Sequence, residues 1–218
     1  MTETSGTVPG YPNHKEVPQI QDRLRKGPPL LLDGATGTEL NRRGVDTGLP
    51  MWSAKALLDA PDVLRAIHRD YVLAGAEIIT ANTFRTHRRS LAAAGYAGRA
   101  NMLTRKAVEL ARGAIEDAVP GNSRRAHVAG SIAPLEDCYS PDLVPDSETL
   151  SVEHYEMATT LADAGVDLLL VETMNTIREA AVAAEVAVAI GLPVMVSFVC
   201  TRDGKLLSGE GIPDAVDQ

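Results

Sequence analysis

The sequence is poor in aromatic residues and contains no long apolar run, and each shortage excludes a class of protein. Aromatic residues make up 4% of the 218 residues, whereas alanine, valine, leucine and glycine are abundant. Small and aliphatic side chains allow helices to pack closely on strands. No segment approaches the roughly 18 consecutive apolar residues of a membrane-spanning helix, so we expect no membrane-embedded part. Residues 1–16 lack the basic and then apolar order of a signal peptide, and we interpret them as a mobile tail.

Cysteine is also scarce, and the 21 basic residues are outnumbered by 29 acidic ones. The two cysteines, Cys138 and Cys200, are too few for a disulfide framework and too far apart for a Cys-x-x-Cys site. We therefore expect reduced thiols and a cytoplasmic location. The formal net charge is −8 and the isoelectric point is about 5.1. An acidic surface repels phosphate groups, so we expect no nucleic-acid partner.

What the sequence does contain is an alternation of short apolar runs with helical patterns. The runs lie at residues 30–34, 76–84, 127–134, 166–173 and 193–201. Nearly continuous apolar runs that alternate with helices are typical of parallel strands, either in a sheet covered on both faces or in a barrel. We predict an α/β domain over residues 27–218. Residues 1–26 precede it as a tail and a short helix that ends at Gly27.

Capping residues predict where the helices begin and end. Asp59 is the expected N-cap of a helix that stops at Gly75, and Ser151 is the expected N-cap of a later helix. Residues 135–150 are rich in proline and aspartate and predict a loop. His68 lies in the first of these helices, and we expect its side chain to be solvated.

Two stretches of the sequence, residues 74–83 and 164–173, share one pattern. They read "AGAEIITANT" and "AGVDLLLVET": Ala-Gly, an acidic residue, an aliphatic run, then a polar side chain followed by threonine. Asn82 and Glu172 therefore hold equivalent positions at the ends of two predicted strands. Asp33 ends the first apolar run in a similar way.

The C-terminal ends of the strands in a βα barrel form its active-site face. We therefore expect Asp33, Asn82 and Glu172 to surround one cavity, where two carboxylates and an amide suit an ammonium group such as that of an amino acid. The alternative is that Glu172 caps the next helix or pairs with a nearby arginine. The stretch "DGATGTEL" is either a plain loop into a short helix or a cradle for an anion.

Five blocks of the sequence together resemble the homocysteine S-methyltransferase, or homocysteine-binding, family. In chain order they are "LLLDGATGTEL", "AGAEIITANTF", "GSIAP", "DLLLVETM" and "PVMVSFVCTRDGKLLSGE". This family includes betaine–homocysteine methyltransferase and the homocysteine domain of cobalamin-dependent methionine synthase. The resemblance implies a (β/α)8 TIM-type barrel, truncated here to about the first five βα units. It also implies methyl transfer to the sulfur of homocysteine, giving methionine.

The resemblance further implies roles for individual residues. Asp33 and Glu172 would hold the amino-acid end of homocysteine, with Gly34, Asn82 and Thr83 around the pocket. In the family a zinc ion held by three cysteines activates the thiol, and these cysteines lie in "G-x-N-C" and "G-G-C-C" blocks. Neither block occurs in these 218 residues. We therefore expect zinc in the full-length family enzyme but assign no metal ligand and no catalytic residue within this sequence.

Several alternatives stay open. The methyl donor could be S-methylmethionine, S-adenosylmethionine, betaine or methylcobalamin. The chain could instead be a non-catalytic subunit, or one part of a split barrel, that binds an amino acid or a complementary chain without zinc. It could also form a homo-oligomer, or carry another barrel chemistry, such as that of a lyase. Cys138, Cys200 and His87 could in principle form a metal site, but their spacing specifies none.

Overall fold

The computed structural model describes residues 20–121 and 126–218, and within them the backbone forms a four-stranded parallel sheet. The strands pair in chain order, and their bounds are β1 Ile78–Ala81, β2 His127–Ile132, β3 Leu168–Met174 and β4 Val194–Phe198. Consecutive parallel strands need a crossover connection, and helices between them supply it. The arrangement is that of consecutive units of a (β/α)8 barrel, which confirms the predicted fold class. The tail predicted for residues 1–16 lies outside the described residues.

The helices precede, connect and follow the strands. Their bounds are α1 Ile20–Lys26, α2 Thr36–Arg42, α3 Ala56–Asp59, α4 Pro61–Leu73, α5 Arg88–Ala92, α6 Ala100–Ala118, α7 Ser147–Ala164, α8 Ile177–Ala189 and α9 Ile212–Val216. None of the helices in residues 20–121 and 126–218 is both long and apolar enough to cross a membrane.

The two faces of the sheet bury different sets of side chains. Alternate residues of the strands, such as Ile79 and Leu169, pack against the long helices in the larger core. The residues between them, such as Ile78 and Leu168, face the opposite side and pack with Ile20 of α1. Because side chains alternate along a strand, this two-sided burial explains why the strand sequences are almost continuously apolar.

The first predicted strand, residues 30–34, is only partly formed. Leu32 makes a single parallel bridge to Ile78, and the Asp33 amide donates to the Ile78 carbonyl at 2.9 Å. Leu31 and Leu32 are 54% and 39% exposed. The prediction of a buried strand is wrong here, because the described residues supply a pairing partner on only one side. The segment still runs beside β1 and delivers Asp33 to the C-terminal end of the sheet.

Three local predictions for the helices are also wrong. Asp59 is the last residue of α3, and the N-cap of α4 is Ala60. Helix α7 begins before Ser151, because the Asp146 side chain caps it by accepting from the Thr149 amide at 2.8 Å. His68 is fully buried, not solvated, and burial lowers its pKa to about 4.

Candidate functional site

An open cavity of about 630 Å³ lies at the C-terminal ends of the strands. Its wall includes polar side chains from four neighbouring segments, namely the segment that precedes β1 and the strands β1, β2 and β3: Asp33, Thr80, Asn82, Ser131 and Glu172. The predicted convergence of Asp33, Asn82 and Glu172 is thus present in the structure. The C-terminal ends of parallel strands lie at one edge of the sheet, which is why residues far apart in sequence meet here.

Asp33 is held in place by one neighbour on β1. Its two carboxylate oxygens accept from the Thr80 amide and the Thr80 hydroxyl, each at 2.9 Å. Burial raises the pKa of Asp33 to about 6; the Thr80 hydrogen bonds oppose this rise, and the negative charge of Glu172 adds to it. The Glu172 contribution indicates that the two carboxyl groups interact across the cavity.

Glu172 lies on β3, where the strand is irregular. The register with β4 shifts between Val171 and Met174, and Thr173 adopts a left-handed backbone conformation with φ of 61°. In a regular strand, successive side chains point to opposite faces, but here both Glu172 and Thr173 line the cavity. A β-branched residue in this conformation is strained, and such strain is concentrated at functional sites.

Within residues 20–121 and 126–218, the Glu172 carboxylate has one hydrogen-bond partner, the Ser131 hydroxyl, which donates to it. Burial raises the pKa of Glu172, and no basic side chain among the described residues contributes to its pKa. Helix α8 is capped by another residue, Thr176, whose hydroxyl accepts from the Glu179 amide at 3.2 Å. Neither the helix-cap nor the arginine alternative for Glu172 therefore applies.

Asn82 and Thr83 are buried and hydrogen-bonded within the protein. Asn82 lines the cavity, but its side chain accepts from the Ser53 hydroxyl at 2.6 Å and donates to the Ser53 carbonyl at 2.8 Å. The Thr83 hydroxyl donates to the Ser131 carbonyl at 2.8 Å and accepts from the Ser131 amide at 3.0 Å. Thr83 is not among the cavity-lining residues, so it supports Ser131 and does not face the cavity.

Gly34 follows Asp33 and also lines the cavity. A Cβ atom at this position would lie 2.7 Å from the Tyr71 hydroxyl oxygen, so a larger residue would displace the Tyr71 ring. The Tyr71 hydroxyl donates to the Ala35 carbonyl at 3.3 Å and ties the loop to α4. In the stretch "DGATGTEL", residues 33–35 form a loop and residues 36–40 lie in α2.

The structure adds aromatic and basic residues to the predicted set. Trp52 and Phe84 line the cavity with their ring centroids 5.6 Å apart in an edge-to-face arrangement, and Arg85 lies beside them. Trp52 lines the cavity, and its ring also lies against Gly37 of α2. Phe84 and Arg85 follow β1, and Trp52 begins a short 3-10 helix, and in neither place does a periodic pattern show which way a side chain points.

The described residues do not fit a zinc site. No group of three or more His, Cys, Asp or Glu side chains within residues 20–121 and 126–218 could hold a metal ion. Cys138 is buried in the cavity wall, whereas Cys200 is exposed beyond β4. His87 caps α5, and both of its ring nitrogens are in hydrogen-bond contact with Ser90.

Comparisons with known proteins agree with this geometry. The homocysteine S-methyltransferase family model matches residues 30–218. Homocysteine S-methyltransferase of Escherichia coli (strain K12) is 36% identical over 73% of this chain and 54% of that protein. Selenocysteine methyltransferase of Astragalus bisulcatus is 31% identical over 90% of this chain and 66% of that protein. The chain thus spans between about half and two thirds of the length of these relatives.

A solved structure shares both fold and sequence. The metallated form of the Escherichia coli homocysteine methyltransferase MmuM superimposes with a TM-score of 0.82 at 33% identity, covering 91% of this chain and 72% of that one.

Proposed function

Because the chain belongs to the homocysteine S-methyltransferase family, we propose that it binds homocysteine in this cavity and takes part in methyl transfer to the homocysteine sulfur, giving methionine. The two buried carboxyl groups of Asp33 and Glu172 carry the proposal. Their raised pKa values mean that burial disfavours the charged forms. An ammonium group between them would favour those forms again, so the cavity is suited to a ligand that brings its own cation.

The chemistry requires a thiolate, since a free thiol has a pKa near ~8.5 and is mostly protonated at neutral pH. In the family that the sequence resembles, zinc would activate the thiol. The cysteines in the described residues do not fit such a site, so we assign to them no step of thiol activation. The role proposed for this chain's residues is to bind the amino-acid end of homocysteine and to orient its sulfur towards a methyl donor.

The direct test is calorimetric titration of homocysteine into the purified chain and into the variants Asp33→Asn and Glu172→Gln. Each removes one carboxylate charge while nearly keeping the shape of the side chain. We expect each to weaken binding on the order of 100-fold, in the range reported for removing one member of a buried charge pair. Glu148→Gln, an exposed position outside the cavity, is the control and should bind as the parent does. Equal affinity in all four proteins would refute the proposal.

A second candidate function is amino-acid binding without methyl transfer. This function is favoured by the cysteines of the described residues, because Cys138 is buried, Cys200 is exposed, and the two do not form a cluster. Stoichiometric zinc in the purified protein, together with methionine production from homocysteine and a methyl donor, would support the transferase. Homocysteine binding without either would support the binding module. We further propose a cytoplasmic location, where both thiols stay reduced.

A further inference from the structure

Arg85 brings a positive charge to a cavity whose other charged groups are acidic. It follows β1 and lines the cavity, as do Asp33, Asp137 and Glu172. Its Nε atom is buried without a hydrogen-bond partner, and its Nη1 atom reaches only the Ser90 hydroxyl, at 3.5 Å. Its guanidinium carbon lies 5.6 Å from the centroid of the Phe84 ring. Within the described residues, no carboxylate lies within ion-pair distance of Arg85.

The neighbouring arginines behave differently. Arg88 donates from Nε to Glu156 at 3.0 Å, and Arg89 donates to both Glu153, at 2.9 Å, and Glu136, at 2.8 Å. Both are directed to helix α7 or the loop before it and do not line the cavity. In the segment "RTHRR", residues 85–89, Arg88 and Arg89 are therefore neutralised by glutamates of the protein, and Arg85 is left to face the cavity.

Asp137 also lines the cavity, but its carboxylate is hydrogen-bonded within its own loop. One of its oxygens accepts from the Tyr139 amide at 3.3 Å, and the other accepts from the Ser140 hydroxyl at 2.8 Å. The charge of Arg85 does reach Cys138, where it partly offsets the rise in the thiol pKa caused by burial. The guanidinium thus acts on the interior of the cavity, and the described part of the chain supplies it with no counter-ion.

We propose that Arg85 binds a carboxylate of the ligand in this cavity. The inference rests on the proposed function and adds a second recognition point: the carboxylates of Asp33 and Glu172 bind an ammonium group, and Arg85 binds a carboxylate group. A zwitterionic amino acid satisfies both, whereas a simple amine or a simple acid satisfies one. Guanidinium groups bind carboxylates through paired hydrogen bonds, which fix orientation as well as affinity.

The test uses three ligands that differ by one group each. Homocysteine carries both charges, aminopropanethiol lacks the carboxylate, and sulfanylbutanoate lacks the ammonium. Trp52 is the single tryptophan of the chain and lines the cavity, so its fluorescence reports occupancy. Arg85→Gln should weaken homocysteine and sulfanylbutanoate by about tenfold or more and leave aminopropanethiol unchanged. Asp33→Asn should weaken homocysteine and aminopropanethiol and spare sulfanylbutanoate.

Two further variants separate binding from folding. Arg88→Gln removes an arginine of the same segment outside the cavity and should leave all three affinities unchanged. Arg85→Lys keeps the charge but not the paired geometry, and it should restore part of the affinity lost in Arg85→Gln. Thermal melting of each variant shows whether the fold is intact.

The source of the carboxylate is decided by a second series with carboxylate-bearing methyl donors, S-methylmethionine and betaine. If Arg85→Gln lowers the affinity for a methyl donor alone, Arg85 binds the carboxylate of the donor. If it lowers the affinity for homocysteine, Arg85 binds the carboxylate of the methyl acceptor. If Arg85→Gln weakens no carboxylate ligand selectively, the inference is wrong, even where the parent binds homocysteine normally. If the parent fails to bind homocysteine, the proposed function fails, while the sulfanylbutanoate series still decides the role of Arg85.

Discussion

The ends of β1 and β3 have the same sequence pattern and reach the same cavity, but their polar side chains are used differently. Asn82 at the end of β1 exchanges two hydrogen bonds with Ser53, at 2.6 and 2.8 Å, and is 5% exposed. Glu172 on β3 has one hydroxyl partner, and its pKa is raised by burial. Asp33, at the end of the partly formed first strand, resembles Glu172 in that burial raises its pKa too.

This difference shows what a strand-end pattern can reveal. The pattern determines position, because every parallel strand of such a sheet ends at the same edge. It does not determine what the side chain binds, because that depends on whether the surrounding loops satisfy its hydrogen bonds and its charge. The amide of Asn82 holds the loop that carries Ser53, whereas the carboxylates keep capacity for a cation.

The raised pKa of Asp33 predicts that the stability of the chain depends on pH. The pKa of Asp33 is about 6 in the folded chain against 3.8 for an unperturbed aspartate, so the folded state binds this proton more tightly than the unfolded state. Stability should therefore be highest below pH ~4 for this group and should fall as pH rises to about 6, by up to about 3 kcal/mol. The measurement is the free energy of unfolding from denaturant titrations between pH 4 and pH 8, compared with Asp33→Asn.

The Asp33→Asn variant should lose this fall and be the more stable protein at neutral pH. Asp46→Asn provides a control of opposite sign, because Lys55 and the Gly48 amide lower the pKa of the exposed Asp46 carboxyl. If the parent and Asp33→Asn showed the same change of stability with pH, burial would not raise the pKa of Asp33.

The two hydrogen bonds between Asn82 and Ser53 predict that Asn82→Ala lowers the free energy of unfolding by about 2 kcal/mol. The change leaves the Ser53 hydroxyl and carbonyl without partners, and Ser53 is 1% exposed. Homocysteine affinity should fall less than in Glu172→Gln, since no charge is removed. Asn101→Ala, at an exposed helical position, should change stability by less than about 0.5 kcal/mol. A larger effect of Asn82→Ala on binding than on folding would reverse the assignment of roles.

Much of the fold and the centre of the site could be predicted from the sequence. The apolar runs identified β1 to β4, and the polar residues that end them led to Asp33, Asn82 and Glu172, which meet at the cavity. The buried His68 could also have been found, because it lies on the helical face of Leu64, Ile67 and Tyr71.

Other features depend on contacts that no local pattern records. The first apolar run has full strand character but pairs through a single bridge. Thr83 and Asn82 are adjacent, and which of them faces the cavity depends on how the chain turns after β1. Arg85 lies after β1 and Trp52 begins a short 3-10 helix, and only the packed structure shows that they line the same cavity as the carboxylates.

The irregular backbone of β3 is the smallest difference between the two strand ends, and it can be tested by comparing glycine with alanine. Thr173 has a φ of 61°, a region that alanine enters at a cost of roughly 1 kcal/mol and glycine enters freely. Thr173→Gly should therefore be more stable than Thr173→Ala by about 1 kcal/mol. At Val194, in the regular part of β4, the order should reverse, with alanine favoured by roughly 0.5–1 kcal/mol. The free energies of unfolding of the four variants give both differences. The same order at both positions would mean that the shift between Val171 and Met174 stores no strain, and that the placement of Glu172 in the cavity needs no special backbone.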